Sequence, residues 1–347
     1  MKTAVWSAPE HIRIEERDIP EPGPGEVLLR IQSVGICGSE LEGYLGHNSL
    51  RVPPLVMGHE TCGIVERNGA GADRYVPGQK AVVNPLLYCG LCRSCRNGYT
   101  QLCEKRQIIG VHRPGAFAEF AVVPEGALVA VSAELNPFRA SLAEPLACSL
   151  RATRRAMVRH PLAAVVVFGA GGIGMLCAMA ARILGASEVL IADTNTERLE
   201  MVRRLGFRLT ANPREESLES VVRAAFNGKG TDVVVDAAGF QPTRETAIRL
   251  VNPGGTFMNI GLGIDETELP INYLIRSEIE LLGSFCYTAR DFADAVELLE
   301  QGKITEEGWT EIRPLDEADA AFRNLVQGKV SSGKIFLQPV KEEHDHG

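Results

Sequence analysis

The sequence carries two hydrophobic patterns that predict two kinds of structure. In its opening third, short strand-like segments such as 27–31 are separated by turns rich in proline and glycine, such as 20–25. From residue 164 onward, continuous apolar runs alternate with helical segments, beginning with Ala164-Val165-Val166-Val167-Phe168. Apolar runs of this kind are typical of strands buried on both faces of a parallel sheet. We therefore predict a β-rich first part and a doubly wound α/β second part.

The second part can be divided into individual elements. We predict strands at residues 164–168, 188–192, 232–236, 255–260 and 280–285, and helices at 175–184, 196–205, 217–226 and 243–250. A helix at about 141–159 precedes them and ends before Pro161. Beyond them, helices at 289–301 and 316–327 and a strand at 334–337 are expected to return to the first domain.

Length and composition limit the classes of protein that fit. A chain of 347 residues is too long for one compact core, so two domains are expected. The net charge of −8 gives no general attraction to nucleic acid or to anionic membranes. No apolar run reaches the ~18 residues that a membrane span needs, and the N-terminus is unlike a signal peptide. We expect a cytoplasmic protein that binds neither nucleic acid nor membranes.

Four of the nine cysteines lie close together in the sequence, at Cys89, Cys92, Cys95 and Cys103. Disulfides do not persist in the cytoplasm, and thiolates at these separations can converge tetrahedrally on one zinc ion. With sulfur at all four positions, no place remains for a substrate, so we predict a structural zinc site. Free or disulfide-bonded thiols are the alternative. A nucleic-acid-binding zinc ribbon is a minor option in so acidic a chain.

A glycine-rich segment follows the first apolar strand of the second part. Gly169-Ala170-Gly171-Gly172-Ile173-Gly174 fits GxGxxG in its required context of strand, tight turn and helix, which predicts a dinucleotide-binding loop. Asp193 ends the next strand, where an acidic residue binds the adenosine ribose hydroxyls and repels a 2′-phosphate, so we predict NAD rather than NADP. The candidate cofactor-binding residues are Gly169, Gly171, Gly172, Ile173, Gly174, Asp193 and Arg198.

Gly58-His59-Glu60 is a candidate metal-binding stretch, because imidazole and carboxylate are both good zinc ligands. Adjacent residues on a straight strand face opposite sides, so both side chains reach one metal only if the backbone bends there. Upstream, residues 35–40 read as a glycine-flanked loop that presents the Cys37 thiol and the Ser39 hydroxyl. Glu144 stands before Pro145 at a helix start, where a carboxylate by default faces the helix dipole or solvent.

Taken in this order, these segments resemble the zinc-dependent medium-chain alcohol dehydrogenases, from about Lys2 to Pro339. The stretch from Gly58 to Val65 is similar to the zinc signature of that family. A glutamate in the context of Glu144-Pro145 is similar to the polyol and threonine dehydrogenase branch. The resemblance implies a GroES-like β-rich catalytic domain at residues 1–146, with a structural-zinc lobe at about 86–105, completed by residues 288–347. It implies an NAD-binding Rossmann domain at 147–287.

The resemblance also implies roles for individual residues. Cys37 and His59 become ligands of a catalytic zinc, and Glu60 and Glu144 share the remaining protein position, in the first coordination sphere or behind a bound water. Ser39 becomes the hydroxyl that bonds the reacting alcohol and begins the proton relay. Where the family often has Asp and His after this serine, the chain has Glu40 and Glu42. The proton route beyond Ser39 therefore stays open, with His47 as one candidate.

We accordingly expect an enzyme with two zinc ions per chain that transfers a hydride between NAD and a secondary alcohol of a polyol, sugar or sugar derivative. A threonine-type amino-alcohol dehydrogenase is the alternative within this class. A zinc-free reductase of the same fold would lack the cysteine lobe and the metal ligands. A zinc-ribbon binding or structural protein would leave Cys37, His59 and Asp193 without a role. The family further implies a homodimer or homotetramer.

Overall fold

The first part of the chain is built from short strands, as its sequence predicts. The structure, a computed structural model, describes residues 1–47 and 49–339. The strands of this part are β1 (Lys2–Ala8), β2 (His11–Glu16), β3 (Glu26–Gly35), β4 (Glu60–Asn68), β5 (Lys80–Val83), β6 (Leu86–Leu87), β7 (Gln107–Ile108), β8 (Phe120–Pro124) and β9 (Leu128–Ala130). Its helices are α1 (Gly38–Tyr44), α2 (Arg93–Arg96), α3 (Pro137–Ala140) and α4 (Ala143–Met157).

The second part alternates strands and helices. Its strands are β10 (Ala164–Phe168), β11 (Glu188–Ala192), β12 (Leu209–Ala211), β13 (Thr231–Asp236), β14 (Val251–Asn259), β15 (Glu280–Gly283), β16 (Thr310–Pro314) and β17 (Lys334–Gln338). Its helices are α5 (Gly172–Ile183), α6 (Thr196–Arg204), α7 (Leu218–Ala225), α8 (Gln241–Leu250), α9 (Ile271–Arg276), α10 (Ala289–Glu300) and α11 (Ala318–Val326). Residues 340–347, at the end of the predicted C-terminal segment, lie outside the described range.

Six parallel strands form the sheet of the second part, in the order β12-β11-β10-β13-β14-β15. This is the doubly wound order of dinucleotide-binding folds, in which the first strand lies at the centre. The central strand β10 is apolar and buried from Val165 to Phe168, because helices cover both faces of the sheet. The prediction of a doubly wound parallel sheet is confirmed.

Strands of the first part form a mostly antiparallel sheet together with β16 and β17 from the end of the second part. Its order is β16-β17-β3-β4-β5-β9, with β8 also paired to β3. The C-terminal strand β17 thus joins this sheet, whereas α10 packs against α4 through ion pairs from Arg151 and Arg154 to Asp291. One continuous apolar cluster runs from Val82 of β5 through Leu146 of α4 to Val165 of β10. It fixes α4, which carries Glu144, between the two sheets.

Two expectations about local structure need correction or addition. Residues 38–40 are the first turn of α1 and not a loop, since the Glu40 carboxylate accepts a hydrogen bond from the Cys37 N–H at 3.1 Å and caps the helix. The short elements β12, β16 and α9 were not predicted. Within the described residues, none of the helices combines the length and the apolar character needed to cross a bilayer.

Candidate active site

A sharp backbone bend brings the predicted metal ligands together. Gly58 has φ +100°, a conformation that favours glycine, and a methyl group there would lie 2.8 Å from the backbone nitrogen of Phe117. His59 follows this bend, and Glu60 begins β4. As a result, the ligand atoms of Cys37, His59 and Glu60 all lie within 4.8 Å of one another.

This donor set fits a zinc ion. Zinc binds thiolate sulfur at about 2.3 Å and imidazole nitrogen or carboxylate oxygen at about 2.0–2.2 Å, so ligand atoms on one ion lie ~4 Å apart. From separations within 4.8 Å, the three side chains need only small shifts to reach this distance. The group offers one atom of each kind, and His59 and Glu60 are buried. A thiolate, an imidazole and a carboxylate also leave room for a fourth, exchangeable ligand, which a catalytic site requires.

A buried carboxylate fixes the orientation of the imidazole. Glu40 is fully buried, and its Oε1 lies 2.8 Å from Nδ1 of His59 and accepts from the Gly58 N–H at 2.8 Å. Burial alone would raise the pKa of Glu40, but the charge of His59 and that of Arg51 lower it. An ionised carboxylate can only accept, so Nδ1 of His59 donates and Nε2 remains free for a metal. Against the cost of its own burial, the charge of Glu40 raises the pKa of His59.

A lysine that the sequence analysis missed binds Glu60. Nζ of Lys334 contacts both carboxylate oxygens of Glu60, and both side chains are buried. Burial disfavours the ammonium and lowers its pKa, but the charges of Glu60 and Cys37 and the hydrogen bond to Glu60 together raise the pKa of Lys334. No local signal marks this residue, because it is an isolated lysine 274 positions from its partner.

Glu144 lies on the first turn of α4, close to the metal-binding group but outside it. Its carboxylate is buried and accepts from the thiol of Cys148 at 3.8 Å. Burial raises the pKa of Glu144 to about 7, and the negative charge of Glu60 adds to the rise while His59 opposes it. The structure therefore gathers both candidate carboxylates around His59, with Glu60 the one inside the group of ligand atoms.

Ser39 lies beside the thiol of Cys37, on the first turn of α1. Its Oγ donates to Cys37 Sγ at 3.4 Å and accepts from Nη2 of Arg51 at 3.2 Å. Arg51 is buried and also donates to the Ser39 carbonyl at 2.9 Å. A guanidinium has no acceptor atom, so Arg51 can hold this hydroxyl but cannot take a proton from it. His47 is largely exposed and lies 3.5 Å from Glu42 at the surface.

The four clustered cysteines form a second metal-binding group. Sγ of Cys92 lies 3.5 Å from that of Cys95, and the same distance separates Cys89 from Cys103. Tetrahedral zinc with Zn–S bonds of about 2.3 Å requires sulfur separations of ~3.8 Å. Backbone N–H groups of Leu91 and Cys92 point at Cys89 Sγ and lower the pKa of that thiol to about 6. The arrangement fits the predicted structural zinc.

The glycine loop has the shape that a dinucleotide needs. Gly169 has φ +99°, and a methyl group on Gly174 would lie 1.8 Å from the Gly169 carbonyl oxygen, so the helix packs against the turn only with glycine there. A methyl group on Gly171 would meet nothing within 4 Å, which leaves space for a close approach by a ligand. Gly172 and Ile173 form the first turn of α5, whose N–H groups are available to an anion.

Asp193 directly follows β11 and lies next to this loop. Its Oδ2 accepts from the Ala170 N–H at 2.6 Å, and its Oδ1 accepts from the Asn195 N–H at 2.8 Å. These bonds hold the carboxylate where the ribose of a dinucleotide is expected. Arg198 lies one turn along α6, its N–H bonded to the capping side chain of Asn195 at 3.0 Å. Its half-buried side chain leaves Nε without a partner among the described residues.

Two protein families match the chain in agreement with this architecture. Residues 23–133 match the alcohol dehydrogenase GroES-like domain, and residues 172–301 match the zinc-binding dehydrogenase family. The first match covers β3 to β9 together with Cys37, His59 and the cysteine lobe, and the second covers α5 to α10.

Individual relatives extend these matches to nearly the whole chain. L-galactonate-5-dehydrogenase of Escherichia coli K12 is 36% identical over 306 residues, which are 88% of this chain and 89% of that protein. A Sinorhizobium meliloti 1021 protein described as a zinc-binding dehydrogenase and solved with NADP aligns with a TM-score of 0.90 and 28% identity, covering 97% and 99% of the two chains. Galactitol-1-phosphate dehydrogenase of Escherichia coli aligns with a TM-score of 0.88 and 26% identity, covering 98% and 100%.

Proposed function

Because the chain belongs to the family of zinc-dependent medium-chain alcohol and polyol dehydrogenases, we propose that it transfers a hydride reversibly between NAD and a secondary alcohol. The alcohol belongs to a polyol, a sugar or a sugar derivative, and the product is the ketone. The observation that carries this proposal is the group formed by Cys37, His59 and Glu60, with ligand atoms within 4.8 Å, beside the hydroxyl of Ser39.

The substrate class is supported by the relatives. L-galactonate-5-dehydrogenase and galactitol-1-phosphate dehydrogenase are both named for open-chain polyhydroxy substrates, one bearing a carboxylate and the other a phosphate. Their shared chemistry is the oxidation of one hydroxyl in a chain of several. We take this chemistry, and not that of an amino alcohol such as threonine, as the first expectation for this enzyme.

Each polar residue of the site has a task in this reaction. A zinc ion bound there supplies Lewis-acid polarisation of the substrate hydroxyl, and NAD supplies the hydride acceptor. Cys37, His59 and one of the two carboxylates, Glu60 or Glu144, would hold the metal. Glu40 keeps the imidazole in the tautomer that leaves Nε2 free.

Ser39 has the task of accepting the substrate proton. Its Oγ lies beside Cys37 Sγ, where an alcohol on the metal would be within reach. Arg51 holds this hydroxyl by donating to it, and since it cannot accept, the proton must leave Ser39 by another path. We propose solvent as the acceptor, reached through the exposed pair of Glu42 and His47.

We propose NAD as the cofactor because Asp193 places a carboxylate where a 2′-phosphate would otherwise lie. The solved relative from Sinorhizobium meliloti binds NADP, so the fold accepts either dinucleotide and the choice depends on local charge. Arg198 is the nearby cation that opposes the effect of Asp193. The proposed cofactor-binding set also includes Gly169, Gly171, Gly172, Ile173 and Gly174.

We further propose a cytoplasmic location, supported by the nine cysteines, none of which forms a disulfide. As a working division, the catalytic domain comprises 1–146 and 288–347, and the nucleotide-binding domain comprises 147–287. A homodimer or homotetramer is proposed from the family. Light scattering on the purified enzyme measures the assembly directly.

The test is a screen for NAD reduction over polyols, sugar acids, their phosphates and amino alcohols, with zinc content measured in parallel. We expect about two zinc ions per chain and turnover with a polyol or sugar acid. The Cys37→Ala, His59→Ala double variant should keep the zinc of the cysteine lobe and lose turnover. Retained turnover in that variant would refute the metal assignment, and a preference for threonine would move the enzyme to the amino-alcohol branch.

A further inference from the structure

A partly buried arginine between the cysteine lobe and the metal-binding group lacks a counter-ion. Arg106 directly precedes β7, and its Nη1 donates to the carbonyl of Gln101 at 2.7 Å. Its Nε is shielded from solvent and has no hydrogen-bond partner, and no described residue forms an ion pair with the guanidinium. Burial of a charge is unfavourable unless a partner compensates it. A ligand with a negative charge would supply that partner.

The chain that follows Arg106 leads to the bend that presents His59. β7 continues toward Gly110, which has φ +81°, and a methyl group there would lie 2.9 Å from the Gly58 carbonyl oxygen. The backbones at Gly110 and Gly58 are therefore in close contact. Gly110 comes four residues after Arg106, a separation of at most ~14 Å in extended chain. The backbone of Arg106 is thus held near the metal-binding group.

The guanidinium itself lies on a ring from the nucleotide-binding half. Cζ of Arg106 is 4.7 Å from the centroid of the Phe285 ring, which is a cation–π contact. Phe285 is 37% exposed and stands two residues before the buried Tyr287. Burial and the charge of Glu144 raise the pKa of Tyr287 well above its usual value, because the two side chains lie close together. The segment that carries this ring therefore borders the same cleft as Glu144.

Contact with the ring leaves one edge of the guanidinium open. Nη1 is occupied by the carbonyl of Gln101, whereas neither Nε nor Nη2 has a partner among the described residues. Nε and Nη2 form one side of the planar fork, and their parallel N–H groups match two oxygens of a carboxylate or a phosphate. The free edge thus fits an anion that enters from the cleft.

We propose that Arg106 is a specificity-determining residue, which binds an anionic end group of the substrate while the metal-binding group holds the reacting hydroxyl. The end group is a carboxylate or a phosphate, the two anions that suit the free edge of the guanidinium. The inference rests on the proposed function, since it requires a polyhydroxy substrate in this cleft. Sugar acids or sugar phosphates should then be preferred over neutral polyols.

Matched pairs of substrates test this assignment in the wild-type enzyme. Each sugar acid and each sugar phosphate is paired with the neutral polyol of the same carbon chain and configuration, and NAD reduction is measured for both members. In the best pair, we expect kcat/KM to be at least about tenfold higher for the anionic member. Comparison of the carboxylate pairs with the phosphate pairs identifies which of the two anions the site prefers.

Variants assign the preference to the guanidinium. Arg106→Met removes the charge and should lower the ratio of kcat/KM for the anionic substrate to kcat/KM for its neutral partner about 10–100-fold, mainly through a higher KM for the anion. Arg106→Lys keeps the charge but loses the planar fork, so it should recover part of the ratio. Arg96→Met replaces an exposed arginine of the same lobe, is the matched control and should behave as the wild type. If Arg106→Met fails to fold, Arg106→Gln keeps N–H donors without the charge and gives the same comparison.

A purely structural role of Arg106 would affect both members of a pair alike. An unchanged ratio in the charge-free variant would therefore overturn the proposal, and so would a wild-type enzyme that prefers the neutral member of every pair. Such an enzyme would still reduce NAD with a polyol, so the proposed function would stand. Absence of turnover with every polyol, sugar acid and sugar phosphate would instead refute the proposed function, and this inference with it.

Discussion

Substitution of Glu40 tests whether its carboxylate orients His59 for metal binding. This carboxylate is fully buried and accepts three hydrogen bonds, from Nδ1 of His59 and from the N–H groups of Gly58 and Cys37. Glu40→Gln preserves the shape of the side chain but removes its charge. One amide oxygen can still serve Gly58 and His59, while the new NH₂ group faces the Cys37 N–H, donor against donor.

The size of the effect follows from these contacts. A hydrogen bond to a charged group contributes about 1.5–3 kcal/mol, roughly twice a neutral one, and a buried donor left unpaired costs about 1–3 kcal/mol. Removal of a residue that orients a metal-bound histidine typically lowers metal affinity by about 10–100-fold. We therefore expect catalytic zinc to bind about 10–100-fold more weakly in Glu40→Gln, with a smaller loss of folding stability.

Competition with a chromophoric chelator measures this affinity. The ligands of the structural zinc are the four clustered cysteines and do not include Glu40. The wild type and Glu40→Gln should therefore retain this zinc equally, and it serves as the internal control. Glu42→Gln, on the exposed side of the same helix, is the matched control and should bind zinc as the wild type does. A catalytic-zinc affinity within about twofold of the wild type in Glu40→Gln would refute the view that this carboxylate orients His59.

Two further predictions concern the nucleotide site. Asp193→Gly removes the carboxylate that follows β11. With one alcohol substrate, we expect the ratio of kcat/KM for NAD to kcat/KM for NADP to fall by about tenfold or more. An unchanged ratio would contradict the assignment of Asp193. Gly174→Ala would place a methyl group 1.8 Å from the Gly169 carbonyl oxygen, so NADH binding followed by fluorescence should be lost or the domain destabilised. Gly171→Ala, whose methyl group meets nothing within 4 Å, should weaken NADH binding but leave the thermal stability of the protein unchanged. A thermal stability of Gly174→Ala equal to that of Gly171→Ala would exclude the packing argument.

The nucleotide-binding half was predictable because its signals are local. The apolar runs at 164–168 and 188–192 coincide with β10 and β11, and the glycine motif follows β10 and continues into the first turn of α5. β12 was missed because its three residues become a strand only by pairing with β11, which is a long-range contact. The first turn of α1 was taken for a loop because glycines at 35 and 38 flank it, although Glu40 caps the Cys37 N–H from only three residues away.

The metal site was predictable only as far as its ligand types. Cys37, His59 and Glu60 are recognisable metal-binding residues, and the structure gathers them around the bend at Gly58. The residues that contact and orient the polar groups of the site could not be found from sequence patterns. Arg51 and Lys334 are cations with ordinary neighbours in sequence, and they acquire a role only because folding buries each beside a polar group of the site.

The pairing of β17 with β3 has a consequence for how the chain is made. Val34 and Gly35 hydrogen-bond to residues near the C-terminus, about 300 positions later in synthesis. At ~5–20 residues per second, a ribosome takes on the order of 15–60 s to deliver that strand. Throughout this interval the end of β3 at Val34 and Gly35 lacks its partner strand, although β8 already covers residues 26–30 on the same edge, and an unpaired strand end is a hazard for aggregation and strand exchange. Chains truncated before residue 334 would keep that end unpaired permanently, so we expect them to depend on chaperones and to be removed by proteolysis.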